Sequence, residues 1–331
     1  MLDGQTILMV TCFILAAYSI IGNDAIQTIG TFLSSNRNRP WWVLWLFTAT
    51  ILVIVLYYGW FVNGHDASYG RLDKFPEQAS LNWLYIIPPL AILILTRFGM
   101  PVSTTFLILS LFAPSNLSHM ILKSLVGYFV ACLCGIFLYT TVIRRMTVQF
   151  NATKGMKPSK YWVAAQWCST GLLWTTWLMQ DLANVFVFLP RQVSPGWMMF
   201  ATSIFVFGLG IIFYQRGGAI QHVVLNKTDT TDIRAATIID FMYAAILFVF
   251  KEWSHMPMST TWVFLGLLAG REFAMTFLLP ASSVNRTARV VRSDLNRAIL
   301  GLVVSVVLAI ALPYLYLSLI HISEPTRQEA I

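Results

Sequence analysis

Two segments, Met100-Pro101-Val102-Ser103-Thr104-Thr105 and Met256-Pro257-Met258-Ser259-Thr260-Thr261, decide how this chain folds. Each one interrupts a pair of apolar runs. Asn82 to Thr96 is stopped by Arg97, Gly99 and Pro101, and the apolar pattern restarts at Phe106 to Ala113. Ala235 to Phe250 is stopped by Lys251, Glu252 and Pro257, and the pattern restarts at Trp262 to Leu279. Short apolar stretches around a Gly/Pro/Ser/Thr break predict a re-entrant hairpin. Backbone that leaves its helix at membrane depth is tolerated only where protein or a water-filled cavity satisfies it. The hairpins are expected over 82–113 and 235–279.

Working outward, each hairpin has the same neighbours in the same order. In the first half, Thr6 to Ile21 is broken by Gly22-Asn23-Asp24 and resumes to Leu33. Trp41 to Val62, a polar loop Asn63 to Leu81, the hairpin and Leu117 to Ile143 follow. In the second half, Tyr161 to Met179 meets Gln180-Asp181 and resumes to Leu189. Gly196 to Tyr214, the loop Gln215 to Arg234, the hairpin and Ala298 to Ile320 follow. Asp24 precedes Pro101 by 77 residues and Asp181 precedes Pro257 by 76. Paired motifs at nearly one offset mark an internal repeat. The expected division is a first repeat over 1–143, a basic linker over 144–160, a second repeat over 161–320 and a polar tail over 321–331 that has no counterpart.

Composition agrees with a membrane protein. Of 331 residues, 57% are hydrophobic and 11% charged, against roughly a quarter charged in soluble domains. Such a surface needs lipid as its main solvent. Runs this long and this rarely interrupted also exclude the alternating strands of a β-barrel. The fold class is all-α, polytopic, with two repeats. Each repeat has three crossings plus a hairpin, and an odd number of crossings turns the second repeat over. The net charge of +8 sits mainly in short loops, the positive-inside pattern, so it implies no nucleic-acid partner. With Arg144 to Lys160 in the cytoplasm, Arg37, Arg39 and the basic stretch Asn285 to Arg297, expected as a loop, also lie inside. The first run lacks a basic leader and cleavage site and reads as a retained span. Cys12, Cys132, Cys134 and Cys168 lie in apolar spans without metal-ligand spacing and read as packing residues. There is no glycine-rich nucleotide loop, so ATP-driven transport is not expected.

Asp24 and Asp181 are the residues that demand explanation. A carboxylate near the bilayer midplane costs several kcal/mol unless compensated. Asp24 lies beside Asn23, Gln27 and Thr28, and Asp181 beside Gln180 and Asn184. Carboxylate and amide oxygens suit a hard cation such as Na⁺, or a proton. The bland alternative is a carboxylate that ties helices together. In each hairpin, Ser103-Thr104-Thr105 and Ser259-Thr260-Thr261 follow a proline that suits a first helical turn. Their hydroxyls either cap the helix or, with the free N–H groups, bind an oxyanion. Arg97, Lys251 and Glu252 read as interfacial, as does Asp240.

These paired motifs resemble those of the inorganic phosphate transporter (PiT) family of cation-coupled phosphate symporters. That family carries a duplicated Gly-Ala-Asn-Asp-Val-Ala-Asn-Ala signature and a Gly-x-Pro-Val-Ser-Thr-Thr-His segment in each half. Here the signatures read Ile21-Gly22-Asn23-Asp24-Ala25-Ile26-Gln27-Thr28 and Met179-Gln180-Asp181-Leu182-Ala183-Asn184-Val185. Phe106 and Trp262 stand where the family has histidine, so the chain looks like a divergent member. The resemblance spans the chain from its first span to its last. It implies cation and substrate contacts at Asn23, Asp24, Asp181 and Asn184, oxyanion contacts at Ser103 to Thr105 and Ser259 to Thr261, and a homodimer.

The expected function is a symporter of inorganic phosphate in the cell membrane, the inner membrane of a bacterium, working by alternating access. The coupling ion would be Na⁺ or H⁺, with no other cofactor. A sulfate or other oxyanion permease and a channel or non-transporting membrane protein are alternatives. An intramembrane aspartyl hydrolase would need Tyr-Asp and Gly-x-Gly-Asp motifs, which neither aspartate has, so no enzyme activity is expected.

Overall fold

Apolar runs longer than about 20 residues have nowhere to place backbone polar groups in lipid except within helices. The computed structural model describes residues 3–77, 80–98, 100, 102–143, 145–146, 158–217, 233–253, 257–278 and 284–323. Within them the chain is helical, with no strand. The first half contains α1 (Gly4–Ile20), a π-helical turn Ile21–Ala25, α2 (Ile26–Ser35), α3 (Trp41–Val62), a short turn Trp83–Ile86, α4 (Ile87–Arg97), α5 (Thr104–Phe112) and α6 (Leu117–Leu138). The second contains α7 (Lys160–Asp181), α8 (Ala183–Phe186), α9 (Pro195–Tyr214), α10 (Ile233–Trp253), α11 (Thr260–Leu278) and α12 (Val284–Ser323). Among the described residues, six helical stretches are long and apolar enough to cross a membrane.

The packing partners exchange between halves. α1 packs on α4 as α7 packs on α10, and α6 packs on α11 as α12 packs on α5. α1 meets α9 as α7 meets α3, while α3 and α9 pack on each other. This is the pattern a duplicated unit produces. The crossing of α6 on α11 is made close by glycine. A Cβ on Gly135 would sit 2.7 Å from the Leu267 carbonyl oxygen, and one on Gly266 or Gly270 would run into the backbone carbonyl of Tyr128 or Cys132. Small residues let helix backbones approach where no hydrophobic effect drives association.

Several expectations need correction. The break at Gly22-Asn23-Asp24 is not an unwound gap. The helix continues through it as a π turn, whose wider i→i+5 register accommodates the polar insertion without ending the helix. α7, expected as an apolar run interrupted at Gln180-Asp181, is not among the six apolar stretches. Its buried residues include Gln166, Ser169, Thr170, Thr176, Gln180 and Asp181, shielded by α2, α3 and α10. The second hairpin's arms are not short: α10 has 21 residues and α11 has 19, so each is about 30 Å long, enough for a crossing. The first hairpin's arms, with 11 and 9 residues, are as short as expected. The basic stretch Asn285 to Arg297 is no loop but the first part of the 40-residue α12, which also takes in the first residues of the expected tail. Gly99, Pro101, His255 and Met256 lie outside the described residues, as does most of the expected linker over 144–160.

The polar segment 63–81 is strapped across the two halves. Val193 N–H donates to the His65 carbonyl at 2.9 Å and the Trp60 indole to the Val193 carbonyl at 2.7 Å. Arg191 donates to the Phe75 carbonyl (3.0 Å) and, through its N–H, to Glu77 (2.8 Å). Asn116 donates to the Lys74 carbonyl at 2.8 Å, and Arg71 Nε to the Met179 carbonyl at 3.0 Å. Gly70, at φ +70°, makes the left-handed turn that leads into Arg71.

Candidate functional site

The π turn, the end of α7 and the starts of α5 and α11 bring both aspartates and both Ser-Thr-Thr segments together. Asp24 and Asp181 are 2% and 1% exposed, so any charge on them must be balanced within the protein or by a bound ion. Thr104 donates to Asp24 Oδ2 from its own half. Thr261, from the other half, donates to Asp24 Oδ1 at 3.3 Å. The reciprocal bond joins Thr105 to Asp181 Oδ1 at 3.4 Å. The same two hydroxyls also reach carbonyls across the halves: Thr261 to Val102 at 3.2 Å and Thr105 to Met258 at 3.3 Å. Thr260, at the start of α11, also lies close to Asp181. Three of the six expected hydroxyl residues, Thr104, Thr105 and Thr261, therefore donate to the carboxylates.

The two serines do something else. Ser103 Oγ accepts from the Phe106 N–H at 3.2 Å and Ser259 Oγ from the Trp262 N–H at 3.4 Å, so each caps its helix. Ser259 N–H in turn donates to Ser124 on α6 at 2.8 Å. Capping and carboxylate contact thus divide between serine and threonine. Phe106 and Trp262, next in each sequence, meet edge to face with ring centroids 6.2 Å apart.

The amides are less symmetric than the sequence suggests. Asn23 donates at 2.7 Å to both Asp24 Oδ1 and the Val102 carbonyl, and Gln27 reaches Asp24 at 3.5 Å. Asn184 donates to Asp181 Oδ1 (3.0 Å), Thr105 (3.1 Å) and Thr104 (3.2 Å). Gln180, the counterpart of Asn23, instead donates to the Leu247 carbonyl on α10 at 2.8 Å, so that amide is held away from the threonines. Buried oxygens without a hydrogen-bond donor are Asn23 Oδ1, Gln27 Oε1, Gln180 Oε1, Asn184 Oδ1 and Asp181 Oδ2. Unsatisfied buried acceptors are rare and costly, and oxygens of this kind are the ligands a hard cation takes. No group of three or more His, Cys, Asp or Glu suited to a metal occurs among the described residues.

Sequence reasoning missed two features. Asp240 is not interfacial but 1% exposed. Its oxygens accept from Thr31 on α2 at 2.6 Å and Thr170 on α7 at 2.7 Å. Thr31 lies two helical turns beyond Asp24, so the polar stripe Asp24, Thr28, Thr31 and Ser35 was a readable signal. Arg71, 2% exposed, was hidden in a loop expected to face water, and nothing in the sequence marks it.

Thr261→Val tests the contact between halves. Removing one buried hydroxyl that holds a carboxylate costs about 1–3 kcal/mol, so the variant's melting temperature in detergent should fall measurably. A melting temperature equal to the parent's would show that the contact is idle.

No family model and no curated protein matches the sequence. Among solved structures, one described as "The sodium-dependent phosphate transporter" matches with a TM-score of 0.63 over 95% of this chain and 98% of that one, at 16% sequence identity. From its first span to its last, this chain is a multi-pass membrane protein with the fold of that transporter.

Proposed function

We propose that this protein is a cation-coupled symporter that carries inorganic phosphate, or a closely related oxyanion, across the cell membrane by alternating access between two inverted halves. One observation carries the reading. The hydroxyls of Thr105 and Thr261 cross between halves to the carboxylates of Asp181 and Asp24, so one buried point belongs to both units. The resemblance of the motifs and the fold shared with a sodium-dependent phosphate transporter support the substrate class. The same reading makes the chain a transporter without catalytic activity, a homodimer, and a resident of a bacterial inner membrane.

A coupling mechanism follows from this reading. The threonine hydroxyls now donate to carboxylates. A cation taken up by Asp24 and the unpartnered amide oxygens of Asn23 and Gln27 would compete for those lone pairs. The freed hydroxyls of Thr104 and Thr261 would then point their protons at an oxyanion, aided by the helix starts they occupy. Anion binding without the cation would have to displace these bonds and place like charges together, which costs too much. Binding in pairs is the result, and it is what coupling requires.

Radiolabelled phosphate and sulfate uptake into proteoliposomes under imposed Na⁺ or H⁺ gradients tests the proposal. Phosphate accumulation driven by one gradient is expected. Flux indifferent to both gradients would make the protein a channel, and accumulation of sulfate alone would reassign the substrate.

A further inference from the structure

The two sides of the site differ in fixed charge. Among the described residues, the charged partner of Asp24 is Asp181, with hydroxyl donors for the rest. Asp181 has a cation as well: Arg71 and Asp181 interact electrostatically with each other. The strap places Arg71 there by structure. Its Nε donates to the Met179 carbonyl, two residues before Asp181 at the end of α7, and its side chain is buried. Burial pushes the Arg71 guanidinium down to about 10, with Asp181 and Glu252 acting in the opposite sense, so it stays cationic at neutral pH. Lys74 on the same strap and Lys123 on α6, only 9% exposed, lie near it. Lys123 adjoins Ser124, which holds the start of α11. A mobile cation approaching Asp181 therefore meets the Arg71 guanidinium set against Asp181 and Glu252. Among the described residues, the charged group that acts on Asp24 is Asp181.

We propose that Arg71 is a built-in countercharge on the Asp181 side of the site, so that the chain moves one coupling cation with each oxyanion, held at Asp24, and not one at each aspartate. This rests on the transporter reading. A guanidinium is never lost as an ion is and its donors are fixed in a plane, so it can neutralise Asp181 in every state without being transported.

The number of charges moved per phosphate tests it. Current and ³²P-phosphate flux are measured together in proteoliposomes under mildly acidic conditions, where phosphate is chiefly the monoanion. The parent protein should move no net charge per phosphate. Arg71→Gln should move one positive charge more, because a cation must now accompany Asp181, and Arg71→Lys should match the parent. A parent that carries one or more net positive charges per phosphate overturns the proposal, even if Arg71→Gln proves unable to fold. An Arg71→Gln protein with an unchanged ratio also overturns it, and a raised KM for phosphate beside that unchanged ratio makes Arg71 an anion ligand instead. Absence of phosphate uptake by the parent strikes the transporter reading itself and is recognised separately.

Discussion

Asp24→Asn should lower gradient-driven phosphate uptake by about 100-fold or more while the protein still inserts and purifies as a folded species. The asparagine keeps the shape and one acceptor oxygen but removes the charge. Asp24 is reached by donors from both halves, Thr104 and Asn23 from its own and Thr261 from the other. Among the described residues it also has no fixed cation beside it. A mobile cation therefore has the most to gain there, and breaking a buried charge pair costs about 3–5 kcal/mol, which corresponds to at least two orders of magnitude. Folding should suffer far less, since removing an uncompensated buried charge relieves its desolvation cost. The measurement is initial uptake beside melting temperature in detergent. Parental uptake by the variant would remove Asp24 from the mechanism.

Gly270→Leu should have the largest effect on stability. Residues 266 and 270 of α11 are both glycine, and a side chain on Gly270 would collide with the Cys132 carbonyl and come within 3.0 Å of the Gly135 Cα. The obstacle is backbone, not the tip of a mobile side chain, so α6 and α11 must move apart along their whole crossing. Overpacking costs about 3 kcal/mol even where side chains adjust, and here dispersion between two helices is lost as well. The start of α11 carries Thr260 and Thr261 and is tied to α6 through Ser124, so the site should be lost with the crossing. Size-exclusion profile and thermal unfolding in detergent are the readouts, and the variant is expected to yield little monodisperse protein. Gly196→Ala, where nothing lies within 4 Å, serves as the control and should be neutral. A stable Gly270→Leu protein would mean that the crossing is looser than the structure shows.

Much of the site is legible in the sequence because its residues are costly where they stand. Aspartates in apolar spans and Pro-x-Ser-Thr-Thr breaks at matching offsets stand out for lack of any reason to be in lipid, and the fold brings the aspartates and the Ser-Thr-Thr segments to one place. Capping and ligand contact could not be separated in sequence, since serine and threonine offer the same hydroxyl. Only the local backbone shows that Ser103 and Ser259 cap while the threonines face the carboxylates. Gln180 matched Asn23 by position, yet its longer side chain reaches the Leu247 carbonyl. The π turn at 21–25 was read as a break because composition reports a loss of apolar character, not which hydrogen-bond register replaces it.

By itself the sequence determined what the solvent dictates: helices of membrane length and the polar residues that must meet somewhere among them. Those follow from local chemistry, because backbone in lipid has few options and buried charge must find a partner. The tertiary structure alone decided which groups became those partners. Arg71 comes from a loop 110 residues before Asp181, Thr261 from the far half reaches Asp24, and Asp240 is held by threonines of two other helices. Such pairings depend on distance in space, and a chain's local pattern carries no record of them.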